Sequence, residues 1–308
     1  MHPAPSLIVF TVLTGLGYGL AALLGLGLLD PSALATKIAH AMALGLIAGG
    51  LVSSTMHLGN PQRAWRAFSQ WRSSWLSREG VMAVITFLPL SCAAIAALWS
   101  SRYIALPGLV GSVLCAATVY CTSMIYASLR SIDAWHTPLT PLCYLLFAGA
   151  GGSVAGVFFA AAGGGNLSTI SLLALFFLVS SWSAKLVWRN RLKSLRPLST
   201  PETATGLGPI GRVGLFERPH LNDNYLTREM GFKVARKHAD KLAVIALVMG
   251  GVVPLASSLI VLISSDQPGY LATALAFVGL LSHLSGMLVE RWLFFAEARH
   301  SVMAYYGQ

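Results

Sequence analysis

The chain has 308 residues, of which 55 % are hydrophobic and only 10 % charged, and its mean hydropathy is +0.67. A soluble domain carries about a quarter charged residues, so this composition excludes a water-facing protein and predicts an all-α integral membrane protein with no large soluble domain. The net charge of +10 would elsewhere suggest nucleic acid; here it reads as membrane topology, and no nucleic-acid partner is expected.

About 20 apolar residues cross the hydrocarbon core as a helix. Eight stretches approach that length, at residues 7–29, 38–56, 80–99, 104–129, 142–162, 167–184, 242–264 and 270–295, and together they make residues 1–308 a single membrane domain. The first begins close to Met1, lacks a basic leader and is too long for a signal-peptide core, so it is expected to be a retained helix. Its glycines Gly15, Gly17 and Gly19 suit close helix approach in lipid.

Residues 57–79 are more than a connector. Asn60 is placed to cap a helix with Pro61 at its first position. Ala64, Ala67, Phe68, Trp71 and Trp75 then share one face, with Arg63, Arg66 and Gln70 on another. The pattern suits a helix lying in the membrane interface, and equally a Trp and Arg belt that only holds the protein at its depth. Further on, residues 185–241 form a long basic loop that Pro197, Pro201, Pro209 and Pro219 prevent from being one helix. The loop has too few apolar residues for its own core. Its end, residues 229–241, reads as a helix entering the seventh span, with Lys233, Arg236 and Lys237 on one side. A docking surface and a solvated loop near anionic lipid both fit this segment.

Eight spans place both termini on one side, together with the loops around 57–79, 130–141 and 185–241. Of 21 basic residues only Lys37 and Arg102 fall opposite, and the positive-inside rule assigns the richer side to the cytoplasm. Cys92, Cys115, Cys121 and Cys143 lie in or beside apolar spans, where thiols act as small hydrophobes. With no CxxC or CxxCH, neither covalent haem nor an iron–sulfur cluster is expected in this chain, and no metal ligand set is assigned.

Ionisable groups at membrane depth are costly and mark function by default. His57 ends the second span and Glu79 begins the third, which returns an imidazole and a carboxylate to one depth. An imidazole exchanges protons at cellular pH and a carboxylate can orient it or pass its proton on. That pair, lined by Trp65, Trp71 or Trp75, suits the head of a quinone, whose reduction consumes two protons. The structural alternative is that His57 caps helix carbonyls while Glu79 pairs with Arg78 or Arg63. In the last span His283, Glu290 and Glu297 recur every seven residues, with Arg291 beside them; a proton relay and plain ion pairing both fit, and pairing is favoured. His40 and His283 are formally able to ligate a b-type haem, although no spacing requires it. A secondary transporter with its path along His283 and Glu290 is a different class of reading, against which stands the lack of an internal repeat.

The runs HLGNPQRA at residues 57–64 and SWLSRE at 74–79, with WHTPLTP at 135–141, resemble the membrane anchor subunits of the dimethyl sulfoxide reductase family, whose eight-span pattern covers essentially the whole chain. The resemblance implies a non-catalytic subunit that docks an iron–sulfur protein and a molybdopterin catalytic subunit and exchanges electrons with the quinone pool, ubiquinone or menaquinone; the charge count then places the partners on the cytoplasmic face. The resemblance also implies a quinone role for His57, with which the reading of His57 and Glu79 from the residues agrees; Gly59, Arg63, Trp71 and Trp75 are expected to line the quinone site. Molybdopterin and clusters are expected only in the partners, and the family's anchors need no haem. Segments at 217–232 and 289–297 are similar to the anchors of cytoplasmic sulfite dehydrogenases. The implied function is transfer of electrons from sulfite to quinone in a bacterial inner membrane, with quinol oxidation in a dimethyl sulfoxide reductase-type complex as the alternative.

Overall fold

The computed structural model describes residues 4–56, 60–195, 200–214, 216–217, 234–265 and 269–301. Eight helices among them are long and apolar enough to cross a membrane. They are α1 Pro5–Gly25, α2 Leu34–Thr55, α3 Trp75–Ser100, α4 Ala105–Ala127, α5 Leu139–Gly163, α6 Leu167–Ser194, α7 His238–Ile263 and α8 Tyr270–Ala296. The expected spans all form, with shifted ends. The third begins at Trp75 rather than Gly80, because Ser74 caps it by accepting from the Ser77 amide. The sixth runs ten residues past Ala184 to Ser194, which carries Lys185, Trp188 and Arg189 into the helix rather than the loop. The seventh is preceded by helical residues from Val234.

Hydrogen bonds between chain-distant groups fix which helix ends lie together. At one end Ser53 Oγ donates to the Ser6 carbonyl, joining the end of α2 to the start of α1. There too Arg189 of α6 bonds Asp240 of α7 and Glu297 after α8. At the other end the Asn166 amide reaches the Leu28 carbonyl, Tyr103 Oη donates to Gly25, and Ser168 meets Ser265. Successive helices therefore run up and down. Between α2 and α3, at the first of these ends, lies a 3-10 helix at Pro61–Gln70.

Lipid tails are as apolar as leucine, so helices associate here by packing and interhelical hydrogen bonds rather than by escape from water. Helices α1 and α5 form the centre. Gly19 and Gly152 face each other so closely that a Cβ on Gly19 would overlap the Ala148 carbonyl, and one on Gly152 the Gly19 backbone. Outer faces such as Leu88, Leu106, Phe176 and Ile263 remain exposed, as lipid-facing side chains must.

A π segment at Val248–Val252 interrupts α7, and Pro254 is its cause. Proline has no N–H and its ring crowds the carbonyl four residues back, so Pro254 bonds neither Gly250 nor Met249. Both bare carbonyls are taken by α8: His283 Nδ1 lies 2.7 Å from the Gly250 oxygen and Ser282 Oγ donates to Met249 at 2.7 Å. Bare backbone groups are not tolerated in hydrocarbon, which makes this pair of side chains structural. A carbonyl only accepts, so Nδ1 carries the proton and Nε2 is left as the ring's acceptor.

Candidate functional site

At the end that holds the 3-10 helix, that helix brings its residues against the start of α3. Ser77 Oγ donates to the Ala67 carbonyl, Phe68 lies over Gly80, and Arg78 donates to the carbonyls of Trp71 and Arg72. Arg78 also stands 4.3 Å from the centre of the Trp75 ring, whose edge meets Tyr120. Trp65, Phe68 and Trp71 are left exposed in a row. Of the helix expected across residues 60–79 only Pro61–Gln70 winds, as a 3-10 helix with Pro61 in its first turn; Trp75, expected on its face, instead opens α3, and Asn60 makes no side-chain cap.

Glu79 lies one turn inside α3 and is 4 % exposed. It does not pair with Arg78 or Arg63, as the structural alternative would have it. Thr122 of α4 donates to its Oε1 at 2.5 Å, and Arg78 is spent on backbone carbonyls. Arg63 and Trp65 lie on the neighbouring 3-10 helix and Trp71 just after its end, with Arg63 exposed like the two rings. His57 and Gly59, the remaining expected site residues, lie outside the described residues, at the junction between α2 and this helix.

A second polar group is buried deeper among α5, α6 and α8. Lys185 Nζ stands 2.6 Å from Glu290 Oε1 and Arg291 Nε 3.4 Å from Glu290 Oε2. All three are buried. Glu290 is six residues before the end of α8, or about 9 Å along the axis, so these side chains pair inside the bundle rather than snorkel out. The cations also lie on aromatic faces, Arg291 at 3.9 Å from the Tyr144 centre and Lys185 at 3.8 Å from Trp188. Each such contact is worth about 2 kcal/mol when desolvated. Toward the surface the series continues through Arg189, which bonds both Glu297 and Asp240, with Lys193 also on Asp240. Burial holds the Glu297 carboxyl above its ordinary range, with Arg189 and Lys185 pulling the other way.

Between these two groups is a cavity of about 30 Å³ lined by α1, α4, α5 and α8, including Thr11, Thr122, Tyr144, His283 and Arg291. At about 10–15 Å³ per water this holds two waters or so, and no ligand ring. His40 lines a different cavity, beside Leu90 and Gly108, so the two histidines considered for haem do not share a space. Sequence reasoning missed Lys185, Thr122 and Tyr144. The signal for Lys185 was present, since Trp182, Lys185 and Trp188 repeat every three residues and continue the buried face of α6.

A bundle of eight apolar helices with a buried charge cluster among α5, α6 and α8 defines a multi-pass membrane protein. The chain belongs to the family of DMSO reductase anchor subunits (DmsC), which it matches over residues 1–296. It is therefore the anchor subunit of an oxidoreductase complex of that family. It is 31 % identical, over 99 % of each chain, to a subunit of the sulfite dehydrogenase of Allochromatium vinosum. No solved structure matches it.

Proposed function

We propose that this anchor is the quinone-reactive subunit of a molybdopterin and iron–sulfur complex of the bacterial inner membrane, and that it passes electrons from sulfite oxidation to the quinone pool. Sulfite and water give sulfate, two protons and two electrons in the partner subunits; the electrons, with two protons from the cytoplasm, reduce quinone to quinol at this chain. Both termini and the 3-10 helix face the cytoplasm, where the basic residues gather and the iron–sulfur subunit docks on the basic loop between α6 and α7. The likeness to a sulfite dehydrogenase subunit supports the direction.

The observation that carries this reading is the buried Glu79 side chain, with its Thr122 partner, next in sequence to Gly80, over which Phe68 of the exposed row Trp65, Phe68 and Trp71 lies. The interior cavity has no room for a quinone ring. The ring must approach from the lipid side, where the row offers aromatic faces, Arg63 lies beside it and His57 and Gly59 adjoin it in sequence. His57 then exchanges a proton with one quinone oxygen and Glu79 supplies the other. Replacing His57 by Ala in the assembled complex is expected to abolish quinone reduction while sulfite oxidation with an artificial acceptor persists. Undiminished quinone reduction in that variant would overturn the assignment.

A further inference from the structure

Glu79 is 4 % exposed and its far oxygen meets Thr122, so a carboxyl that gives its proton to a quinone on the lipid side is refilled from the protein side. We infer that the cavity among α1, α4, α5 and α8 holds ordered water and is the passage by which protons reach Glu79. The inference rests on the quinone reading above. Thr122 both lines the cavity and donates to Glu79 Oε1 at 2.5 Å, which joins the carboxylate to the space behind it. The Tyr144 hydroxyl is buried on the cavity wall with no hydrogen-bond partner. A buried hydroxyl left unpaired is unfavourable, and water in a polar cavity of this size relieves it.

The wall supplies the other partners that water needs. His283 is held by the Gly250 carbonyl through Nδ1, and its Nε2 lies on the side of Gly151, 3.4 Å from where a Cβ there would sit. Arg291 reaches the cavity from the other side and is joined to Glu290 and Lys185. Beyond Lys185 the carboxylates of Glu297 and Asp240 lie toward the surface on Arg189, Asp240 being 77 % exposed at its side chain, and these carboxylates rather than Arg189 are the groups able to hold a proton. Arginine stays charged and does not itself carry the proton; Arg291 orients the water that does. In each cycle Glu79 releases one proton to a quinone oxygen. Thr122 then passes its hydroxyl proton to Oε1 and takes one from cavity water, which is restored from the Lys185–Glu290 side. No electron moves along this path.

Gly15 provides the test, because it lines the cavity and a Cβ there meets nothing within 4 Å. Gly15→Val fills the space with an apolar group, whereas the isosteric Gly15→Thr replaces water with a hydroxyl. In the assembled complex Gly15→Val is expected to slow quinone reduction on the order of tenfold and to raise its solvent isotope effect. Turnover with an artificial acceptor and the KM for a short-chain ubiquinone should not change, and Gly15→Thr should stay within about twofold of the unaltered complex. Hydrogen–deuterium exchange at the Glu79 carboxyl, followed by its infrared carbonyl band, should slow in Gly15→Val and not in Gly15→Thr. Equal exchange in all three proteins would overturn the passage. Equal slowing by Val and Thr would also overturn it, by making the effect one of packing. If the unaltered complex exchanges rapidly at Glu79 yet reduces no quinone, the functional reading fails and the passage stands.

Discussion

Removing the Lys185 ammonium tests whether the buried charge cluster holds the bundle together. In Lys185→Met the partner Glu290, whose side chain is 2 % exposed, keeps only Arg291 at 3.4 Å. Breaking one partner from a buried pair costs about 3–5 kcal/mol, and the remaining Arg291 places the loss near the lower end, about 3 kcal/mol. The contact with Trp188 at 3.8 Å adds about 2 kcal/mol. Lys193→Met is the matched control. It removes an ammonium at 3.0 Å from Asp240, but the two side chains are 60 % and 77 % exposed, and pairs of that kind are worth about 0–1 kcal/mol. Unfolding by a denaturing detergent titrated into mixed micelles measures both. The expected difference is about 3 kcal/mol or more, and Lys185→Met with Glu290→Gln should recover part of it by removing the stranded charge. Equal losses from the two lysines would refute the reasoning, since they would mean that water reaches Glu290.

Gly19→Ala drives a Cβ into the Ala148 carbonyl and is expected to lower the yield of folded protein sharply; Gly45→Ala, with nothing within 4 Å, should leave folding intact, as size-exclusion profiles would report. Ser282→Ala strips the Met249 carbonyl of its donor and should cost about 0.6–1.7 kcal/mol in the same micelle unfolding assay, while Ser285→Ala, on an exposed residue that bonds only its own helix, should cost less. Thr122→Val removes the hydroxyl from Glu79; the Glu79 carbonyl band should move to higher frequency, and an unmoved band would show that the bond is absent.

The eight spans are legible in the sequence because lipid demands long apolar helices, and only charge and length enter that reading. Helix ends are less so. Hydropathy alone starts α3 at Gly80, yet Ser74 sets the start through a cap. Lys185 reads as a loop residue because a cation ordinarily ends a span, yet α6 carries it inward. Both differences share a cause: pairing and capping depend on a partner element that a single window does not contain. Thr122 and Tyr144 carry no sequence signal that separates them from other polar residues in spans. Glu79 and Glu290 stand out because carboxylates at that depth are rare, but the sequence offers Arg78 and Arg63 as partners for Glu79, and geometry chooses Thr122 instead. For Glu290 the pairing expectation matches, with Lys185 as the unforeseen partner.

The proline in α7 has a consequence for assembly. A lone seventh helix would enter the bilayer with the oxygens of Met249 and Gly250 bare, and only the following segment brings the hydroxyl and imidazole that cover them. Insertion of these last two crossings is thus coupled: they enter as a hairpin, and a chain cut in the turn between them would be left with a segment that lipid rejects.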